Sequence, residues 1–94
     1  MFKFKKKRIQ VKVPPISEGW KWSYNHLDYK IDKTIESVMT VTNIDTYTDG
    51  KPKGFYCRSE DGNMSYWYAD TVLANIQSGE YKFAGFHPGY IVKN

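Results

Sequence analysis

The sequence predicts a small, mainly β domain of the α+β kind: a curved antiparallel sheet, or an SH3-like or OB-like barrel, with one short helix near its C-terminal end. Three observations carry that expectation. Apolar residues alternate with polar ones along several short runs, most clearly in Trp20-Lys21-Trp22-Ser23-Tyr24 and in the β-branched stretch 37–48. Two clusters of turn residues, Asp49-Gly50-Lys51-Pro52-Lys53-Gly54 and Glu60-Asp61-Gly62-Asn63, separate such runs. A single helical stripe, Val72, Leu73 and Ile76, follows Asp70.

From the start of the chain, Phe2 and Phe4 fall on even positions and Ile9, Val11 and Val13 on odd ones. A strand repeats every two residues, so the change of phase demands a break near Lys6 and leaves a first strand at 8–13. Pro14 and Pro15 cannot donate to a ladder and end it. The next strand, 20–24, has one wholly aromatic face that is either core or contact surface. Residues 25–36 alternate weakly and read as a short strand or a loop. Residues 37–48 (Val38, Thr40, Val41, Thr42, Ile44, Thr46) form the clearest strand, with threonine on its outer face. The two turn clusters then give a three-stranded meander through 54–59 and 64–69. Asp70 is the expected N-cap of a helix over 71–77, and Gly79 the residue that ends it in the left-handed region. Extended segments at 80–86 and 90–92, separated by His87-Pro88-Gly89, complete the pattern.

Ninety-four residues with no repeat, linker or composition break make one domain, 1–94, with residues 1–7 as a basic arm. The charge is uneven: residues 1–12 hold Lys3, Lys5, Lys6, Lys7, Arg8 and Lys12 and no acid, while residues 13–94 carry eight basic residues against ten acidic ones. The alkaline balance belongs to one end, and the body is mildly acidic. No apolar run reaches the roughly 20 residues of a membrane span, and the start lacks the pattern of a signal peptide, so the chain reads as cytoplasmic with no membrane partner.

Catalytic machinery is not visible. Cys57, the one cysteine, sits in a strand whose pattern makes it a core residue, and no base is placed beside it by sequence. His26 and His87 lack neighbouring ligands at metal spacing, Glu60 and Asp61 point apart in a turn, and the seven glycines are dispersed rather than gathered into a phosphate loop. No metal, no cofactor and no enzyme activity are expected.

Aromatic residues make up 17% of the chain, more than a core of this size requires, so some rings must face outward. Tyr66, Trp67 and Tyr68 are consecutive in a strand, and at least one must oppose the others. If Tyr66 and Tyr68 face in with Met64, Trp67 faces out, and Tyr47 and Tyr56 extend the same patch. Trp20, Trp22, Tyr47, Tyr56 and Trp67 are therefore the candidate partner-binding residues. The competing site is the basic start, Lys3, Lys5, Lys6, Lys7, Arg8 and Lys12, beside an aromatic strand, since cations neutralise phosphates and rings stack on bases.

The stretch Tyr66-Trp67-Tyr68-Ala69-Asp70-Thr71-Val72-Leu73-Ala74-Asn75-Ile76-Gln77-Ser78-Gly79-Glu80-Tyr81-Lys82-Phe83 resembles the ending of small SH3-like barrel domains in phage-encoded accessory proteins, where a strand, a short helix, a glycine and a final strand recur. The resemblance implies a non-catalytic protein of the host cytoplasm that binds a bacterial protein and modulates or inhibits it. A nucleic-acid-binding barrel with a basic arm is the alternative, and a sponge that holds a small nucleotide between rings is a third. Oligomeric state stays open.

Overall fold

A computed structural model describes residues 11–89, and within them five strands and one helix follow in the order β1 (Trp20–Asp28), β2 (Lys33–Thr46), β3 (Pro52–Ser59), β4 (Met64–Tyr68), α1 (Ala69–Ser78) and β5 (Tyr81–Phe86). The strands make one antiparallel sheet in the order β4-β3-β2-β1-β5. The first four form a continuous meander. β5 joins beside β1, at the far edge from β4, because α1 carries the chain across one face of the sheet. The two edge strands do not meet, so the described residues form an open sheet and not a closed barrel.

Two identical devices set the meander. In each of the β2–β3 and β3–β4 connections a glycine N–H donates back three residues, Gly50 to the Tyr47 carbonyl at 2.9 Å and Gly62 to the Ser59 carbonyl at 3.0 Å. Each glycine has a φ near +90° (89° and 91°), a conformation that costs other residues. The flanking residues then pair, Tyr47 N–H to Lys51 carbonyl at 2.9 Å and Ser59 N–H to Asn63 carbonyl at 2.8 Å, which closes a three-residue loop with its glycine as the bulge. Pro52 is the first residue of β3, where a missing donor is tolerated.

The weakly alternating segment 25–36 is the far end of a long hairpin. β1 runs on to Asp28, β2 starts at Lys33, and the turn is held by Lys30 N–H on the Asp28 carboxylate at 2.9 Å, with Asp32 left-handed at φ 53°. This end of the ribbon extends past β3, whose pairing with β2 begins at Met39 opposite Ser59. Its residues are half-buried or exposed, which is why they show no core period.

A register shift in β2 between Val41 and Asn43 explains a second irregularity. The extra residue changes the phase, so that Val41 opposes Cys57 and Ile44 opposes Phe55 on the same face although their numbers differ in parity. Gly85, with φ 91°, lies at the equivalent shift between β5 and β1.

The core lies between one sheet face and α1: Trp20, Trp22, Met39, Val41, Phe55 and Cys57 from the strands, Ala69, Val72 and Ile76 from the helix. The helical residues recur at spacings of three and four, one buried stripe. The helix begins two residues earlier than expected. Tyr68 occupies the N-cap without a side-chain hydrogen bond, and Asp70 is not the cap but stands in the first turn, where a carboxylate still favours the positive end of the helix dipole. Gly79 ends the helix left-handed at φ 91°, its N–H on the Ile76 carbonyl at 3.2 Å.

The expected first strand is not formed over 11–13; residues 8–10 lie outside the described residues. Prolines 14 and 15 keep this segment off the ladder, and it packs over the core instead, with Val13 and Ile16 against the apolar cluster. Val11 is clasped to α1 by Gln77, which accepts from the Val11 N–H at 2.8 Å and donates to its carbonyl at 2.6 Å. The segment 90–92 also lies outside the described residues. No helix among the described residues is long and apolar enough to cross a membrane.

Candidate functional site

The sheet has a face covered by α1 and residues 13–16, and a face that nothing in the described chain covers. On the open face the pairing places residues in rows. Lys21, Thr40, Arg58 and Met64 form one row, Asn43, Tyr56 and Tyr66 the next, and Asp45, Gly54 and Tyr68 the last.

Three tyrosines dominate one corner of this face. Tyr56 and Tyr66 meet edge to face at 4.9 Å between ring centroids, and Tyr66 meets Tyr68 in the same way at 5.5 Å. Such T-shaped pairs set a ring edge against the negative face of its neighbour. The Tyr66 hydroxyl donates to the Asp45 carboxylate at 2.9 Å. Desolvation and that acceptor, together with the charge of Asp45, push the Tyr66 hydroxyl up to about 12, so it stays a neutral donor at physiological pH. Beneath the ring lies Gly54, buried and without a side chain. A Cβ there would sit 2.5 Å from the Tyr66 ring and 2.8 Å from the Trp67 carbonyl. The glycine is what lets Tyr66 lie flat on the sheet, while Tyr56 and Tyr68 stay 47% and 60% exposed.

Beside the tyrosines, Lys21, Thr40, Thr42, Arg58, Glu60 and His87 line a shallow concavity of about 470 Å³. The side chains of Lys21 and Arg58 make no ion pair or hydrogen bond among the described residues. The open face therefore offers phenol rings, threonine hydroxyls and two cations without a side-chain partner among the described residues, with Glu60 beside them.

Against this surface the five expected partner-binding residues separate. Tyr56 belongs to it. Tyr47, exposed at the β2–β3 turn, carries the Lys53 ammonium 6.0 Å from its ring centroid. Trp20 and Trp22 do not reach the surface at all: both are fully buried, their indole N–H groups donating to the Pro14 carbonyl at 3.1 Å and the Cys57 sulfur at 3.4 Å. Their aromatic face is core, because β1 is an interior strand, paired on both sides with β2 and β5, and its inward face packs into the apolar cluster shared with α1. Trp67 is also on the covered side, half-buried edge to face with Trp22 at 4.8 Å.

The inversion of Trp67 has a specific cause. A four-residue loop at 60–63 would set Cys57 opposite Tyr66 and turn Tyr66 and Tyr68 inward. The observed three-residue loop sets Cys57 opposite Ser65 and Phe55 opposite Trp67, which turns Trp67 in and Met64, Tyr66 and Tyr68 out. One residue of register exchanges the faces of the whole strand. Tyr66 and Tyr68, the two residues that the sequence reading missed, were legible only through the position of Gly62 as the bulge glycine.

Of the basic residues proposed for nucleic acid, Lys12 is exposed, while Lys3, Lys5, Lys6, Lys7 and Arg8 lie outside the described residues. Cys57 is buried, and burial pushes its thiol up to about 11, the opposite of what a nucleophile needs. His87 closes the turn at the end of β5, its Nδ1 accepting from the Gly89 N–H at 2.9 Å. No group of three or more metal-ligating side chains gathers among the described residues. No family model, curated protein or solved structure matches the chain.

Proposed function

We propose that this protein is a non-catalytic binding module that docks on a protein through the open face of its sheet, as a phage-type accessory protein docks on a bacterial host or defence protein to modulate or inhibit it. The observation that carries the reading is the tyrosine corner Tyr56-Tyr66-Tyr68. Rigid rings with few rotatable bonds bury much area for little entropy, and their hydroxyls add directional hydrogen bonds, which is why tyrosine is favoured at protein interfaces. Tyr66 is locked by Asp45 and Gly54, so part of the surface is organised before a partner arrives. The resemblance of residues 66–83 to phage accessory domains supports a bacterial partner in the cytoplasm.

The experiment is capture of bacterial proteins by the tagged full chain, repeated with Tyr56→Ala/Tyr68→Ala. A stoichiometric partner held by the wild type and released by the variant, whose circular dichroism is unchanged, is the expected result. A partner held equally by both, or no partner, overturns the reading.

A second reading has its own observation. Lys21 and Arg58, in one row beside the tyrosines, make a surface on which a single-stranded nucleic acid would find phosphate neutralisation and stacking together. It predicts retention on single-stranded DNA or RNA that weakens steeply with salt and with Lys21→Ala/Arg58→Ala. The acidic residues Glu36 and Asp45 on the same face weigh against a polyanion, which places this reading second.

A further inference from the structure

The helix crosses the covered face on a diagonal, from the end of β4 to the start of β5, and leaves one corner of that face uncovered. At this corner, between the projecting end of the β1–β2 ribbon and the β3–β4 turn, lies a concavity of about 450 Å³. Its volume falls in the roughly 300–1,000 Å³ range of small-ligand sites. Its wall is aromatic. Tyr24 and Trp67 meet at 5.4 Å with their planes inclined by 58°, and His26 continues from Tyr24 at 5.2 Å. The thioether of Met39 lies alongside.

The polar edges of Trp67 and His26 are already engaged. The Trp67 indole N–H donates to Ser65 Oγ at 2.7 Å, and His26 Nε2 and Ser37 Oγ are 2.7 Å apart. Trp22 stacks on one side of Tyr24 at 5.6 Å and meets Trp67 at 4.8 Å, so what remains for a ligand is the side of the Tyr24 and Trp67 rings turned to the concavity. The rim is charged with one sign: Glu36, Glu60 and Asp61 line the concavity and no lysine or arginine does. Asp61 is engaged by Ser59 and Asn63, and Glu36 accepts from Ser23 at 2.8 Å, but Glu60 has no partner among the described residues. That sign is wrong for a nucleotide phosphate and right for a cation, and ring faces attract cations through their quadrupoles.

We propose that this corner is a binding site for an alkylammonium group, held over the faces of Tyr24 and Trp67 with Glu60 supplying the counter-charge. The group is carried either by a free quaternary or primary amine or by a lysine side chain. The concavity is lined from both faces at this margin of the sheet, by Tyr24, Met39 and Trp67 on the covered side and by Glu36 and Met64 on the open side; it shares no residue with the tyrosine corner Tyr56-Tyr66-Tyr68 and does not depend on the function proposed for that corner.

The test is a nuclear magnetic resonance titration of the full chain with two cationic probes, choline and N-acetyl-lysine methylamide, beside 3,3-dimethylbutan-1-ol, which has the shape of choline without its charge. Saturable shifts of the Trp67 indole and Tyr24 ring signals with either cation, and none with the neutral alcohol, are expected. The cation that binds more tightly identifies the source. Glu60→Lys alters an exposed turn and leaves the fold intact; it is expected to weaken binding roughly three- to tenfold. Trp67→Leu removes a ring face at an expected loss of roughly three- to thirtyfold. Equal binding of the alcohol, shifts confined to Tyr56, Tyr66 and Tyr68, no saturable shift with either cation, or full affinity in Glu60→Lys would each overturn the proposal.

Discussion

Both faces of the sheet are aromatic, but the covered one holds the tryptophans, with Tyr24 and Tyr81 packed among them, whereas the exposed corner of the open one is built from tyrosines. All three tryptophans, Trp20, Trp22 and Trp67, lie on the side covered by α1, each with its single N–H on one acceptor: the Pro14 carbonyl, the Cys57 sulfur and Ser65 Oγ. The open side is built from Tyr56, Tyr66 and Tyr68, whose hydroxyls can stay with water or, for Tyr66, with Asp45. An indole buries the larger area and needs one partner, so it suits a core. A phenol keeps a polar tip that remains solvated while its ring lies on a surface. The aromatic excess of the composition is thus divided between two tasks, stability on one face and recognition on the other.

The largest effect comes from crossing that division at the buried side. Trp22→Ala removes a ring that touches Tyr24, Trp67 and Tyr81 within 5.6 Å and strands the Cys57 sulfur. The expected loss is about 3–5 kcal/mol, a large part of the stability of so small a domain. Urea denaturation would show it as an early midpoint or no cooperative transition. A loss below about 1 kcal/mol would place Trp22 outside the core.

The faces also differ in how they answer alkali. On the covered side, burial raises the Cys57 thiol from 9.0 to about 11. The unfolded chain loses its proton near the lower value while the fold retains it, so the contribution is intact below pH 9 and is lost as pH rises towards 11. A shift of this size corresponds to a fall on the order of 3 kcal/mol. Cys57→Ala, less stable at neutral pH because it leaves a cavity, is expected to lose less of what it has across that window. Parallel slopes for the two proteins in denaturant melts would remove Cys57 as the cause. Tyr66 acts in the same sense at higher pH, between its ordinary 10.0 and about 12, and is present in both proteins.

On the open side the sharpest constraint is Gly54. Alanine there meets the Tyr66 ring and the Trp67 carbonyl, so either Tyr66 swings off Asp45 or β4 shifts. The expected cost is about 1–3 kcal/mol. Gly54→Ala/Tyr66→Ala should recover part of it, since the double variant removes the obstructing ring; a double variant as unstable as the sum of the two single ones would show that the carbonyl contact, and not the ring, is limiting.

How much of this was readable in the chain depended on whether a signal was local. The turn glycines Gly50 and Gly62, the helix-ending Gly79 and the β-branched run of β2 act through nearby backbone, and the elements they imply are present. The assignment of faces was not local. The inward turn of Trp67 depends on a loop of three residues instead of four, and the phase change between Val41 and Ile44 depends on one bulged residue. The candidate site follows the faces: Tyr56 is exposed, Trp20 and Trp22 are core, and Tyr66 and Tyr68 face outward where the alternation alone turns them inward. Where β5 joins the sheet depends on the path of α1 across the covered face, which no periodicity encodes.

The smallest expected change in stability is at Tyr68, and it tests the division of faces most directly. The ring is 60% exposed on an edge strand and, among the described rings, meets only Tyr66, at 5.5 Å. Tyr68→Ala should therefore move the denaturation midpoint by no more than about 0.5 kcal/mol, the range of surface substitutions. If the open face is the docking surface, the same variant should release a captured partner, because an exposed ring at the centre of an interface can cost 2 kcal/mol or more on truncation. A stable fold with lost capture separates recognition from stability at one residue. A clear fall in stability would instead mean that Tyr68 anchors the N-terminus of α1, where it occupies the cap position, and that the open face begins one row further in, at Tyr56.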